Sequence, residues 1–178
     1  MKLLVFGASG SGTSTLGRSL SSQLAYSFLD ADDFYWEKTD PPFSKKIPLM
    51  ERNQRLMNAY RQSNDLIISG SLVTWGDFWQ TAFDGVVFLY IPYEVRMKRL
   101  ALREEERLGD ALYTKPEVAD RSNAFLEWAS RYEDRSFEGR SIQQHEDWME
   151  LVDCPILELR SDLTDGERRQ RVIEAFNL

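Results

Sequence analysis

Four short apolar runs punctuate the chain at Leu3–Phe6, Leu66–Ile68, Val86–Ile91 and Ile156–Leu159, with a fifth, shorter one at Ser27–Leu29. None alternates cleanly with polar residues, which is how strands covered on both faces read. Between them lie helix-like stretches: Thr13–Leu24, Leu49–Gln62, Tyr93–Leu108, Arg121–Glu133 and Asp165–Phe176. Strand and helix therefore alternate, the signature of a parallel sheet wrapped by its own crossovers. The expected architecture is α/β, a five-stranded parallel sheet flanked by helices, in one domain spanning residues 1–178. No repeat, low-complexity tract or long Gly/Ser linker divides it. Ligands on such sheets bind beyond the carboxyl ends of the strands, so the residues that follow each run carry the functional reading.

Composition changes this picture mainly by exclusion. With 178 residues, 42% of them hydrophobic, the chain can bury about two-thirds of its unfolded surface without a staple. Cys154 is the single cysteine and His145 the single histidine, so neither an internal disulfide nor a His/Cys zinc site can form. No run approaches the roughly 18 apolar residues of a membrane span, and the first ten residues lack the apolar core of a leader. A reducing, cytoplasmic setting is expected, with no membrane partner. The net charge of -7 argues against a nucleic-acid partner. It leaves room for a locally basic pocket that takes a small phosphorylated ligand.

After the first run comes Gly7-Ala8-Ser9-Gly10-Ser11-Gly12-Thr13-Ser14-Thr15, then a helical stretch. Glycines let successive backbone N–H groups curl around phosphate, and the helix N-terminus adds its partial positive charge. The spacing of Gly7, Gly12 and Ser14 matches the P-loop pattern G-x-x-x-x-G-K-[ST] except at the lysine, where Thr13 stands. A hydroxyl offers one neutral donor where an ammonium would bring a charge. The rival reading, a nicotinamide site with Asp30 on the ribose, needs glycines in the order G-x-G-x-x-G, and these are not.

In these features the chain resembles the small P-loop kinases of the nucleoside monophosphate kinase, shikimate kinase and gluconate kinase type. The resemblance implies a three-layer fold with a helical lid, ATP and Mg²⁺ as cofactors, and a small-molecule acceptor. It places nucleotide binding on Gly7, Ser9, Gly10, Ser11, Gly12, Thr13, Ser14 and Thr15, and the metal on Ser14 and Asp30. The run Phe28-Leu29-Asp30-Ala31-Asp32-Asp33 is similar to the Asp-x-Asp that ends the second strand in shikimate and gluconate kinases, which makes Asp32 an anchor or base for the acceptor. Carboxylates facing a triphosphate need an intervening cation, which agrees with that role. Ile47-Pro48-Leu49-Met50-Glu51-Arg52 is similar to the segment that brings an arginine to the acceptor, here Arg52. Ser69-Gly70-Ser71 resembles the acceptor-contacting turn, with Gly70 and Ser71 as the contacts. Trp75 and Trp79, four apart, read as core.

Residues 93–140 hold eight of the sixteen arginines. Arg96, Arg99 and Arg103 fall on one helix face, and Arg96 reads as part of a solvated, Glu-paired surface. The kinase resemblance makes residues 108–121 the lid and gives Arg99, Arg103, Arg121 and Arg131 to charge stabilisation on the transferring phosphoryl group; Arg135 and Arg140 follow as lesser candidates. Residues 136–150 have no counterpart in the family pattern, and His145 reads as a lone surface histidine. Two functions remain: phosphoryl transfer to a hydroxylated metabolite or a nucleoside monophosphate, or a nucleotide-binding regulatory or partner module with little transfer activity for want of the lysine. The acceptor and the oligomeric state are not legible.

Overall fold

In the computed structural model, which describes residues 1–178, the five apolar runs become β1 (Lys2–Gly7), β2 (Ser27–Asp30), β3 (Leu66–Ser69), β4 (Gly85–Leu89) and β5 (Ile156–Leu159). The helices are α1 (Thr13–Leu24), α2 (Asp32–Tyr35), α3 (Leu49–Arg61), α4 (Tyr93–Leu108), α5 (Ala111–Thr114), α6 (Pro116–Ser130), α7 (Ile142–Met149) and α8 (Asp165–Phe176). All strand pairs are parallel and the spatial order is β2-β3-β1-β4-β5. Register puts Asp30 beside Ser69 and Gly7 beside Leu89, so the ends of the first four strands form one edge.

The pleat explains the unbroken apolar runs. On β1, Leu3 and Val5 pack with Leu16, Leu20 and Val172 of α1 and α8, whereas Leu4 and Phe6 pack with Leu56, Trp75, Trp79 and Trp148 on the opposite face. Trp75 and Trp79 are core residues, as expected. No helix is long and apolar enough to cross a membrane.

Two sequence expectations are corrected, on α6 and on Arg96, and the segment left without a counterpart gains an element. The helix expected from Arg121 begins at Pro116, a proline in the first helical turn where its missing N–H costs nothing. The 136–150 segment contains α7, started by the Ser141 side chain, which accepts the Gln144 N–H at 3.4 Å. Arg96 is not on a solvated face: its side chain is enclosed, donating to Ala129 O at 2.8 Å and to Glu133 Oε2 at 2.7 Å. Its aliphatic stem and these acceptors tie α4 to the end of α6. Glu133 keeps partial access to water, so the two halves of the pair are unequal. Glu133→Gln, which strands the enclosed guanidinium, is expected to cost about 3 kcal/mol, and Arg96→Met distinctly less, in urea unfolding. Equal losses, or the reverse order, would show that the charge is not what the pair holds in place.

Candidate active site

The site grows from the turn after β1. Ser11 N–H closes the turn on Ala8 O at 3.1 Å, and the first helical bond of α1 runs from Leu16 N–H to Gly12 O at 3.0 Å. The N–H groups of Ser9, Gly10, Gly12, Thr13, Ser14 and Thr15 have no acceptor in the protein. The helix start has no side-chain cap and no acid in its first turn, so nothing in the chain competes for these donors. Such a ring at a helix N-terminus attracts an anion. Ser11 Oγ, buried and without a partner, adds another orphaned polar atom to the loop. The loop lies tight against β4: a Cβ on Gly7 would stand 2.3 Å from Leu89 O and 2.8 Å from Ser11 Oγ. These residues fit a phosphate chain.

Beside the turn, Ser14 Oγ lies 3.4 Å from Ser69 Oγ, and Ser69 is the register partner of Asp30. The buried Asp30 carboxylate accepts the Asp32 N–H at 3.2 Å and has the Arg18 guanidinium at 3.8 Å. No group of three or more His, Cys, Asp or Glu could cage a metal. One hydroxyl and neighbouring carboxylates suit Mg²⁺, which keeps most of its waters and takes its other ligands from phosphate.

Asp32 opens α2 and is reached by solvent, yet it stands in a crowded cleft. Burial lifts its pKa above the usual carboxylate value; Arg140 and Arg103 pull it back, and Asp30 and Asp33 push it up. Burial likewise lowers the pKa of Arg140, which is coupled to Asp32, Tyr35, Tyr132 and Arg52. Arg52 is buried, with its guanidinium 4.3 Å from the Tyr35 ring and 4.8 Å from that of Trp75, and its Nε has no partner. Arg103 and Arg140 thus act on the Asp32 carboxylate, and Arg52 stands next to Arg140. Gly70 and Ser71 follow β3, and a Cβ on Gly70 would meet Ala31, between the two aspartates.

The remaining candidates disperse. Arg99 Nη2 donates to Asp162 at 2.7 Å in the loop after β5. Arg131 is held by Asp134 at 3.1 Å and lies over the Phe137 ring. Arg121 is exposed and unpaired, and Arg135 is occupied by Gln143 and Glu146. No contact joins these four to Asp32. Within residues 108–121, Leu108 ends α4, 111–114 form α5 and 116–121 begin α6.

A family model described as an AAA domain matches residues 3–121. The chain belongs to that family. The uncharacterized protein YqaC of Bacillus subtilis (strain 168) is 40% identical to it over 170 residues, 96% of this chain and 94% of that protein. Cytidylate kinase of Haloarcula marismortui is 28% identical over 155 residues, 80% of this chain and 77% of that protein. Shikimate kinase from Acinetobacter baumannii, solved in complex with shikimate, superposes on 97% of this chain and 90% of its own with a TM-score of 0.58 at 18% identity. This AAA-domain protein therefore has the fold of the small P-loop kinases.

The family match stops at residue 121, and the site residues that sequence reading undervalued lie beyond it. Arg140 was one charge among many. His145 is not a surface residue but fully buried, with Nε2 at 3.1 Å from Ser71 Oγ and Nδ1 at 2.8 Å from Tyr132 Oη. Burial, and to a smaller extent Arg140, lowers its pKa from the usual 6.5 to about 3. The neutral imidazole bridges the turn after β3 to the segment after α6. The unfolded chain binds this proton below pH 6.5 and the folded one only near 3. Stability from this group is therefore full above 6.5 and declines as pH falls through that interval. His145→Gln is expected to flatten the dependence of the urea midpoint on pH between about 6.5 and 5, above the range where carboxylates dominate. An unchanged slope would mean that His145 protonates freely in the folded protein.

Proposed function

We propose that this protein is an ATP- and Mg²⁺-dependent kinase that phosphorylates a hydroxyl group of a small anionic metabolite. One observation carries the reading: the Asp32 carboxyl, in the field of Arg103 and Arg140 with Arg52 next to Arg140, lies on the same sheet edge as a helix start with unclaimed amides. The free amides between Ser9 and Thr15 would hold the phosphates, and Ser14 with Asp30 would hold hydrated Mg²⁺. That ion, when bound, neutralises charge on the phosphate oxygens. Arg52 and Arg140 would grip an anionic group on the acceptor and turn its hydroxyl toward Asp32. Asp32 would take the hydroxyl proton as the oxygen bonds to the γ-phosphorus and the bond from that phosphorus to ADP breaks. Arg103 stands where it can offset the charge on the phosphoryl group. Arg121, unpaired on α6, is available to close over the phosphates, Arg99 lies at the far side of the nucleotide loop, and Arg131 would contribute only after its ion pair with Asp134 opens.

Asp32 also discriminates between acceptor classes. A nucleoside monophosphate would bring its accepting phosphate against a carboxylate, whereas a hydroxyl gains a hydrogen-bond acceptor there. The arginines satisfy a carboxylate elsewhere on the molecule. Thr13 favours a second reading, a nucleotide-binding module that transfers little. The test is ADP release from MgATP across hydroxy acids such as shikimate and gluconate and across nucleoside monophosphates, run beside Thr13→Lys. Turnover with a hydroxy acid supports the proposal. Turnover only with a monophosphate reassigns Asp32. Tight ATP binding with no acceptor, and turnover appearing only in Thr13→Lys, supports the module instead.

A further inference from the structure

Arg168 lies on α8, far along the chain from the nucleotide loop, and its side chain is only 5% exposed. Its Nη1 donates to Ser11 O at 3.2 Å, and a Cβ on Gly12, whose φ is +92°, would lie 3.0 Å from that same nitrogen. The guanidinium is therefore seated against the backbone immediately before Thr13. Its Nε and Nη2 are buried without a hydrogen-bond partner. The nearest carboxylate, Asp162, is 3.6 Å from Nη2 but is taken at 2.7 Å by Arg99. Asp165, also near, is engaged by Ser19 at 2.8 Å and Arg169 at 3.3 Å. Two guanidinium groups thus share one carboxylate, which leaves a surplus positive charge behind the loop.

As a purely structural device this is poor. A buried guanidinium with two of its three nitrogens lacking a hydrogen bond, and only a share in one carboxylate at 3.6 Å, disfavours folding, and an apolar side chain of similar length would fill the space at lower cost. The arrangement makes sense if the charge has a counterpart that binds. The loop it touches is the one whose motif lacks its cation.

We propose that Arg168 is the positioning residue that replaces the missing P-loop lysine, fixing the Ser11–Gly12 peptide and supplying positive potential to a bound triphosphate from behind the loop, with Arg99 holding Asp162 partly away from it. This rests on the loop binding a nucleotide, as proposed above. It differs from a general packing role in one respect: its effect falls on the phosphates and not on the base.

The test is calorimetry with MgATP, inorganic tripolyphosphate and adenosine on wild type, Arg168→Met, Arg168→Lys, Thr13→Lys and the double variant Thr13→Lys/Arg168→Met, each checked by thermal melting. Arg168→Met is expected to weaken MgATP and tripolyphosphate by about tenfold to a hundredfold, the scale of one charge-assisted contact, and to leave adenosine unchanged. Arg168→Lys retains most of the affinity. Thr13→Lys restores phosphate binding in the Arg168→Met background and adds little to wild type. Should Arg168→Met fail to fold, Arg168→Gln gives the same comparison with a polar side chain. Equal losses for adenosine and MgATP, or a folded double variant that is not rescued, would overturn the assignment. Unaltered MgATP affinity in Arg168→Met would overturn it alone, whereas wild-type protein that binds neither MgATP nor tripolyphosphate would remove the nucleotide reading along with it.

Discussion

Asp32→Asn is expected to lower kcat/KM for phosphoryl transfer by roughly 10²–10⁴-fold, the range for losing a general base, with MgATP affinity little changed. The asparagine keeps the size of the side chain and its place at the start of α2, so the loss is of the proton acceptor and not of the site. The fold has no reason to suffer: burial, with Asp30 and Asp33, already disfavours charge at this carboxyl, and the arginines oppose that only in part. A neutral amide therefore sits there without added strain. The kinetic comparison is made with the acceptor saturating and then limiting. A kcat that survives the substitution, with the loss confined to KM, would make Asp32 an anchor and place the base elsewhere.

Gly7→Ala is expected to damage both the fold and nucleotide binding, by a route unrelated to charge. The new methyl would sit 2.3 Å from the Leu89 carbonyl oxygen, which belongs to the interior strand β4, and 2.8 Å from Ser11 Oγ. Neither the strand backbone nor the base of the turn can step aside without breaking the β1–β4 ladder. A loss of about 3 kcal/mol, the upper part of the usual range for overpacking a tight site, should appear as a lower urea midpoint. MgATP binding should vanish in the protein that remains folded, because the Ser11 turn moves with the methyl. Ala at position 7 with stability and affinity intact would show that the turn is not held against β4 in solution.

The strands and crossovers were legible because a sheet covered on both faces demands apolar residues at consecutive positions, and β1 supplies Leu3 and Val5 to one face and Leu4 and Phe6 to the other. The nucleotide loop was legible for a similar reason: its chemistry is local, and close spacing of glycines along the chain is enough to build it. Asp30, Asp32 and Arg52 stood out as candidates because Asp30 ends β2, Asp32 opens α2 and Arg52 lies in the first turn of α3, at element boundaries that the pattern marks.

The arginines were harder. Periodicity puts Arg96, Arg99 and Arg103 on one helix face, and the structure sends them to three destinations: Glu133 inside the protein, Asp162 across the nucleotide loop, and the Asp32 cleft. Which arginine is buried depends on what packs over the helix, and Ala129 and Glu133 arrive from a later segment. Arg140, His145 and Arg168 were undervalued on the same ground. Each acts across a large sequence separation, Arg168 on Ser11 over 157 residues, and no spacing rule reports a contact of that range. The departure at Thr13 was the one visible hint that a cation had to come from elsewhere.

The most direct test of phosphate binding at the amino-terminal turn is amide-resolved NMR of the labelled protein titrated with MgATP and, separately, with adenosine. If the turn is the phosphate site, the N–H signals of Gly10, Gly12, Thr13, Ser14 and Thr15 move most, saturate together, and move farther with the triphosphate than with adenosine. Saturable nucleotide binding that leaves those five signals in place, or no response from them at any attainable concentration, would contradict it.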